Sequence, residues 1–260
     1  MKIGIFDSGI GGLSVLHRAL KSFPNAEYIY YADKAHVPYG EKKADELVCY
    51  IKEILDFFKE KEVDGIVIAC NTATSVLSKE IREEFPIPIV GMEPAVKKAV
   101  EIRHSTDKRI LVAATPVTIA GEKLSRLLEK VDTEHIVDRV SLPKLVRFAE
   151  NEEFESPEID EYLKEELKDF HLEDYEIVVL GCTHFNYFKK KFTAVFPGPI
   201  RFVDGNDGTL RHLQNKLSGD SLSESEQKVT YYYSGVEVNE KEMLEIDHYM
   251  RQLEDVYDIE

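Results

Sequence analysis

A chain of 260 residues with 49 acidic and 33 basic side chains has a formal net charge of −16, and its basic residues are interspersed with acids, so neither nucleic acid nor an anionic membrane is expected as a partner. The length allows one large or two modest domains with a core that needs no disulfide, and three cysteines without close pair spacing fit reduced thiols better than a zinc knuckle or a redox dithiol. No apolar stretch approaches the roughly 20 residues that span a bilayer, and MKIGIF runs into a strand without a long apolar leader, so a soluble, cytoplasmic protein is expected.

Strand-like apolar runs fall at residues 2–6, 27–32, 63–69, 87–91, 109–114, 134–140, 176–181 and 200–203, with helical patterns between them. Strands alternating with helices predict an α/β fold built on mostly parallel sheets flanked by helices. The first strand ends in FDSGIGGL. Asp7 and Ser8 stand where strand turns to helix, and the glycines after them permit close backbone approach to a small anion. The lysine and hydroxyl of a P-loop are missing, and a tight turn capped by Asp7 or Ser8 fits the same residues. The next loop, YADKAHVPYGEK at 31–42, offers Tyr39 as an aromatic wall and Gly40 as exposed backbone, features shared with ordinary turns. A helix is predicted over 42–60, because Leu47, Ile51, Ile54, Leu55 and Phe58 form one apolar stripe. Cys49 lies off that stripe and is read as incidental.

Two later segments repeat one pattern. Residues 64–74 read DGIVIACNTAT and residues 175–185 read YEIVVLGCTHF, each a buried strand that ends in a cysteine and then begins a helix. Ligands of open α/β sheets bind at that edge, and a following helix N-terminus favours a thiolate. Asn71 and Thr72 after Cys70, and Thr183 with His184 after Cys182, can hold a carboxylate. A lone cysteine there reads as a buried small hydrophobe, whereas two in matched positions suggest one site with two faces. Zinc on Cys70, Cys182 and His184 is the weaker alternative, for want of a fourth ligand. KIGIFDSG also parallels RILVAATP at 109–116, so duplication and a pseudo-twofold pair of domains are expected, residues 1–95 plus 208–260 forming one and 96–207 the other. The stretch 218–227 reads as a polar connector.

DSGIGGLSV, the loop ending in PYGEK, VIACNTAT, LGCTHF and the late YYYSG together resemble the glutamate racemases of the cofactor-independent aspartate/glutamate racemase superfamily. The likeness spans nearly the whole chain in order and spacing. It implies two similar α/β domains with the active site between them, no cofactor and no metal, and interconversion of L- and D-glutamate for peptidoglycan. It also implies that Cys70 and Cys182 are acid/base thiols assisted by Asp7 and His184. Ser8, Tyr39, Gly40, Asn71, Thr72 and Thr183 would bind substrate, as would Asp7 and His184, while Thr115 and Glu150 fall where minor roles occur. Homodimers are among the assemblies that the resemblance allows. One departure is Ser141-Leu142-Pro143, where many relatives carry a cysteine before the proline.

The chemistry agrees independently. Inverting an α-carbon without pyridoxal phosphate needs a base on one face and an acid on the other, which two thiols supply, and each direction exchanges their roles. A relative acting on aspartate, a hydantoin or a malonate, or a non-catalytic amino-acid-binding protein on the same scaffold, fits the same fold. A substrate panel and solvent hydrogen exchange at the α-carbon distinguish them.

Overall fold

A computed structural model describes residues 1–217 and 226–259, so most of the expected polar connector lies outside the described residues. The elements in chain order are β1 (Lys2–Asp7), α1 (Leu13–Ser22), β2 (Glu27–Ala32), α2 (Ala44–Glu60), β3 (Gly65–Ile68), α3 (Asn71–Val76), α4 (Lys79–Glu83) and β4 (Ile89–Gly91). There follow α5 (Val96–Ile102), β5 (Arg109–Ala114), α6 (Pro116–Ala120), α7 (Glu122–Val131), β6 (Val137–Ser141), α8 (Pro143–Glu150), α9 (Pro157–Glu166) and β7 (Tyr175–Gly181). The chain continues through α10 (Lys189–Val195), β8 (Arg201–Val203), α11 (Asn206–Leu217), β9 (Lys228–Tyr233), β10 (Val236–Glu237) and α12 (Glu240–Asp255).

Among the described residues the strands form two sheets, ordered β10-β9-β2-β1-β3-β4 and β6-β5-β7-β8. All pairings are parallel except that of β10 with β9. The order β2-β1-β3-β4 recurs as β6-β5-β7-β8, so β3 and β7, the cysteine strands, are topological equivalents, as are β1 and β5. Each sheet forms the centre of one lobe. The apolar stripe of α2 packs on one face of the first sheet, where Leu47, Leu55 and Phe58 are wholly buried; each such side chain contributes about 1.5–3 kcal/mol. A continuous core joins the inner faces of both sheets, from Ile3 and Tyr30 through Leu111 and Leu145 to Phe188 and Tyr249.

Several elements differ in extent from the sequence reading. The strand expected at 134–140 begins at Val137, because His135 adopts φ 56° in a turn closed by its N–H to Asp132 O. The strand expected at 87–91 begins at Ile89, since Pro86 and Pro88 have no N–H for a ladder. The first sheet gains β9 and β10 from the tail. Lys228–Tyr233 opens on the largely polar, part-exposed KVT and buries only Tyr232 and Tyr233, so only its YYYSG motif stood out. Helix α11 already packs against β3 and β4, where the chain has returned to the first sheet. Among the described residues no helix is long and apolar enough to cross a membrane.

Candidate active site

β1 delivers Asp7 to the sheet edge, and the chain then enters the 3₁₀ turn Ile10–Gly12. This turn is squeezed between lobes. A Cβ on Gly9 would fall 1.8 Å from Glu150 Oε1, and one on Gly11 would fall 2.4 Å from His184 Nδ1 and 2.5 Å from Thr183 Oγ1. Only glycine allows that approach. Tyr30 and Tyr187 fasten the turn by donating their hydroxyls to Gly9 O and Ile10 O, at 2.7 and 3.3 Å.

Cys70 caps α3, and Cys182 precedes the 3₁₀ segment Thr183–Phe188. Both thiols line one narrow pocket together with Ser8, Tyr39, Gly40, Asn71, Thr72, Thr115, Thr183 and His184. Its open space is about 10 Å³ for the centre of a water molecule, room for about one water. Asp7 and Glu150 stand behind this lining. Asp7 Oδ1 accepts the Gly9 N–H at 3.0 Å, and its Oδ2 accepts the Thr183 hydroxyl at 3.0 Å. The Ser8 hydroxyl lies 3.5 Å from Asp7 Oδ1 and accepts from the Cys70 thiol at 3.6 Å, which connects Asp7 to Cys70 through one hydroxyl. On the other side His184 Nδ1 is 3.8 Å from Cys182 Sγ, and its Nε2 is 2.6 Å from Glu150 Oε1.

Electrostatics follow from this enclosure. Burial raises the Asp7 carboxyl to about 6, although His184, the Gly9 N–H and Thr183 act to lower it. Burial opposes a charge on His184, but its hydrogen bonds to Cys182 and Glu150 prevail and hold it well above the ordinary imidazole range. The expectation that a helix N-terminus favours the Cys70 thiolate is corrected. Ala73 N–H does donate to Cys70 Sγ at 3.4 Å, yet burial, followed by the nearby Asp7 carboxylate, pushes the thiol up to about 12. Cys49 is exposed, away from the pocket. Among the described residues no cluster of three or more His, Cys, Asp or Glu side chains is placed to hold a metal ion.

The sequence reading overlooked the support of Tyr39. Its hydroxyl donates to Asp33 Oδ2 at 2.6 Å, and Ser234 donates to Asp33 Oδ1 at 3.0 Å. Asp33 lies in the same loop motif as Tyr39, and Ser234 lies in YYYSG, but nothing local pairs them. Pro38 of the same turn lines the pocket, and Val146 does so without having been singled out.

Two matched parallel α/β lobes with thiols at equivalent strand ends, facing one pocket, define the class of this protein. The Asp/Glu/hydantoin racemase family matches residues 8–213, and the chain belongs to that family. It is a racemase, an isomerase. A glutamate racemase of Campylobacter curvus is 48% identical over 265 aligned residues, covering 100% of each chain. The glutamate racemase structure of Campylobacter jejuni superposes with a TM-score of 0.82 at 28% identity, over 96% of this chain and 98% of that one. That of Escherichia coli, solved with L-glutamate and the activator UDP-MurNAc-ala, gives 0.79 at 27% identity, over 95% of this chain and 94% of that one.

Proposed function

We propose that this protein interconverts L- and D-glutamate by two-thiol proton transfer, and that the D-glutamate serves peptidoglycan synthesis in the cytoplasm. The observation that carries this reading is the pair Cys70 and Cys182, which end equivalent strands of two sheets and line the same pocket. One cysteine, as thiolate, removes the α-proton; the other, as thiol, delivers a proton to the opposite face, and the reverse reaction exchanges them. The similarity to glutamate racemases supports glutamate as the substrate.

Asp7 serves Cys70 through the Ser8 hydroxyl, and His184, backed by Glu150, serves Cys182 directly. A substrate ammonium entering the pocket brings positive charge next to Asp7 and Cys70, which favours the thiolate that the free protein suppresses. Ser8, Asn71, Thr72, Thr115 and Thr183, with the backbone at Gly40, supply donors for the carboxylates and the developing carbanion, and Tyr39 forms the wall. The pocket is too narrow for an amino acid, so the lobes, residues 1–95 plus 208–260 and 96–207, part to admit substrate and close to exclude water. The test is incubation with each glutamate enantiomer in heavy water. The opposite enantiomer is expected to form with deuterium at its α-carbon and no added pyridoxal phosphate. Formation without deuterium, or no reaction until that cofactor is added, overturns the reading.

A further inference from the structure

Lys123 stands in the first turn of α7, in the second lobe, where a cation is wrongly signed for its own helix. Its ammonium crosses to the first lobe and donates to Thr74 O and, at 2.7 Å, to Leu77 O. These carbonyls close the C-terminal end of α3, the helix that Cys70 caps. Near the start of α3, Thr72 Oγ1 meets Thr115 Oγ1 of the second lobe at 2.9 Å, and Thr115 in turn donates to Thr118 at 3.1 Å. The cysteine-bearing helix is therefore tied to the opposite lobe at both ends. Such ties are needed, because six residues make too short a helix to hold its position by its own hydrogen bonds.

We propose that Lys123 is a positioning residue, an interlobe latch that fixes α3 and so aims the Cys70 thiol at the substrate α-carbon when the lobes are closed. The inference rests on the two-thiol reading. A merely space-filling role does not account for the ammonium. Burial and the facing Arg82 guanidinium push Lys123 down to about 8 against the opposing pull of Glu93, so an apolar side chain would occupy the position at less cost. The two interlobe bonds offset that cost.

Racemisation cannot separate the two sides in kcat/KM, since the enantiomers have equal energy and both directions share one value. Irreversible elimination of hydrogen chloride from the enantiomers of β-chloroglutamate can, because each needs proton removal by one thiol only. The enantiomer served by Cys70 is first identified with Cys182→Ser. Lys123→Met is then expected to slow elimination on the Cys70 side about 10- to 100-fold and to change the Cys182 side far less, with KM for glutamate less affected than kcat. Lys123→Arg, which keeps the donors, is expected to recover part of the loss. If the methionine variant does not fold, Lys123→Gln must show the same one-sided loss. Equal losses on both sides, or none, overturn the latch. Absence of α-proton exchange and elimination in the unaltered protein overturns the two-thiol reading instead.

Discussion

Glu150 Oε1 lies 2.6 Å from His184 Nε2 and accepts the Ile10 N–H at 2.8 Å, so one carboxylate oxygen ties α8, the Cys182 segment and the glycine turn together. Glu150→Gln keeps an acceptor but removes the charge, and His184 should then titrate nearer the ordinary imidazole value. A raised histidine contributes stability that is fully present below its unfolded value of about 6.5 and is lost as pH rises through its folded value. The destabilisation by Glu150→Gln should therefore be larger near pH 6 than on the alkaline side, with turnover reduced by less than the roughly 10²- to 10⁴-fold of a direct acid–base group. Imidazole NMR and melting curves across pH check this; an unmoved His184 titration would sink it.

Asp7 follows the same pH trend, but here removing the charge should stabilise the fold. Its carboxyl is raised to about 6, so the folded protein holds the proton more tightly than the unfolded chain, and stability is lost as pH climbs from about 4 to about 6. Asp7→Asn should stabilise the fold at pH 7–8 by about 3 kcal/mol at most, read as a higher melting temperature, while slowing turnover about 10²- to 10⁴-fold. The stabilisation should vanish near pH 4. A gain independent of pH would show that packing, not the buried charge, is responsible.

Thiol reactivity should rank by enclosure. Cys49 is exposed, whereas Cys70 is buried with its thiol pushed up to about 12, so iodoacetamide at pH 7.5 should label Cys49 well before Cys70. Asp7→Asn removes the charge that opposes the thiolate and should speed labelling of Cys70. Cys49→Ser should leave racemisation unchanged. Peptide mass spectrometry over time reads all three, and early labelling of Cys70 in the unaltered protein would refute the ranking.

Gly11→Ala should be severe for its size. The added methyl would fall 2.4 Å from His184 Nδ1 and 2.5 Å from Thr183 Oγ1, so the turn must move away from the Cys182 side of the pocket. Displacements near 1 Å at a catalytic group cost about 10²-fold in rate. Turnover should fall by about that factor while far-ultraviolet circular dichroism is retained; near-normal turnover would show that the turn yields without cost.

Helix α2 and the aliphatic strands were legible in the chain because burial recurs with the period of the element, so Leu47 to Phe58 and the run Ile66–Ile68 declare themselves in a short window. The matched cysteine segments and the DSGIGG turn were legible for a related reason, since strand end, thiol and helix cap are consecutive in sequence. Strand β9 was not, because its first half, Lys228 to Thr230, is largely polar and part-exposed and breaks the apolar run. What only the tertiary structure decided depends on contacts between distant parts of the chain. Glu150 and His184 are 34 residues apart, Thr183 and Asp7 are 176, and Ser234 and Asp33 are 201. The protonation of Cys70 belongs to the same group. Its helix N-terminus argues locally for a thiolate, but the Asp7 charge, brought beside it by the neighbouring strand β1, and desolvation exist only in the folded protein, and at low dielectric they outweigh the local donor.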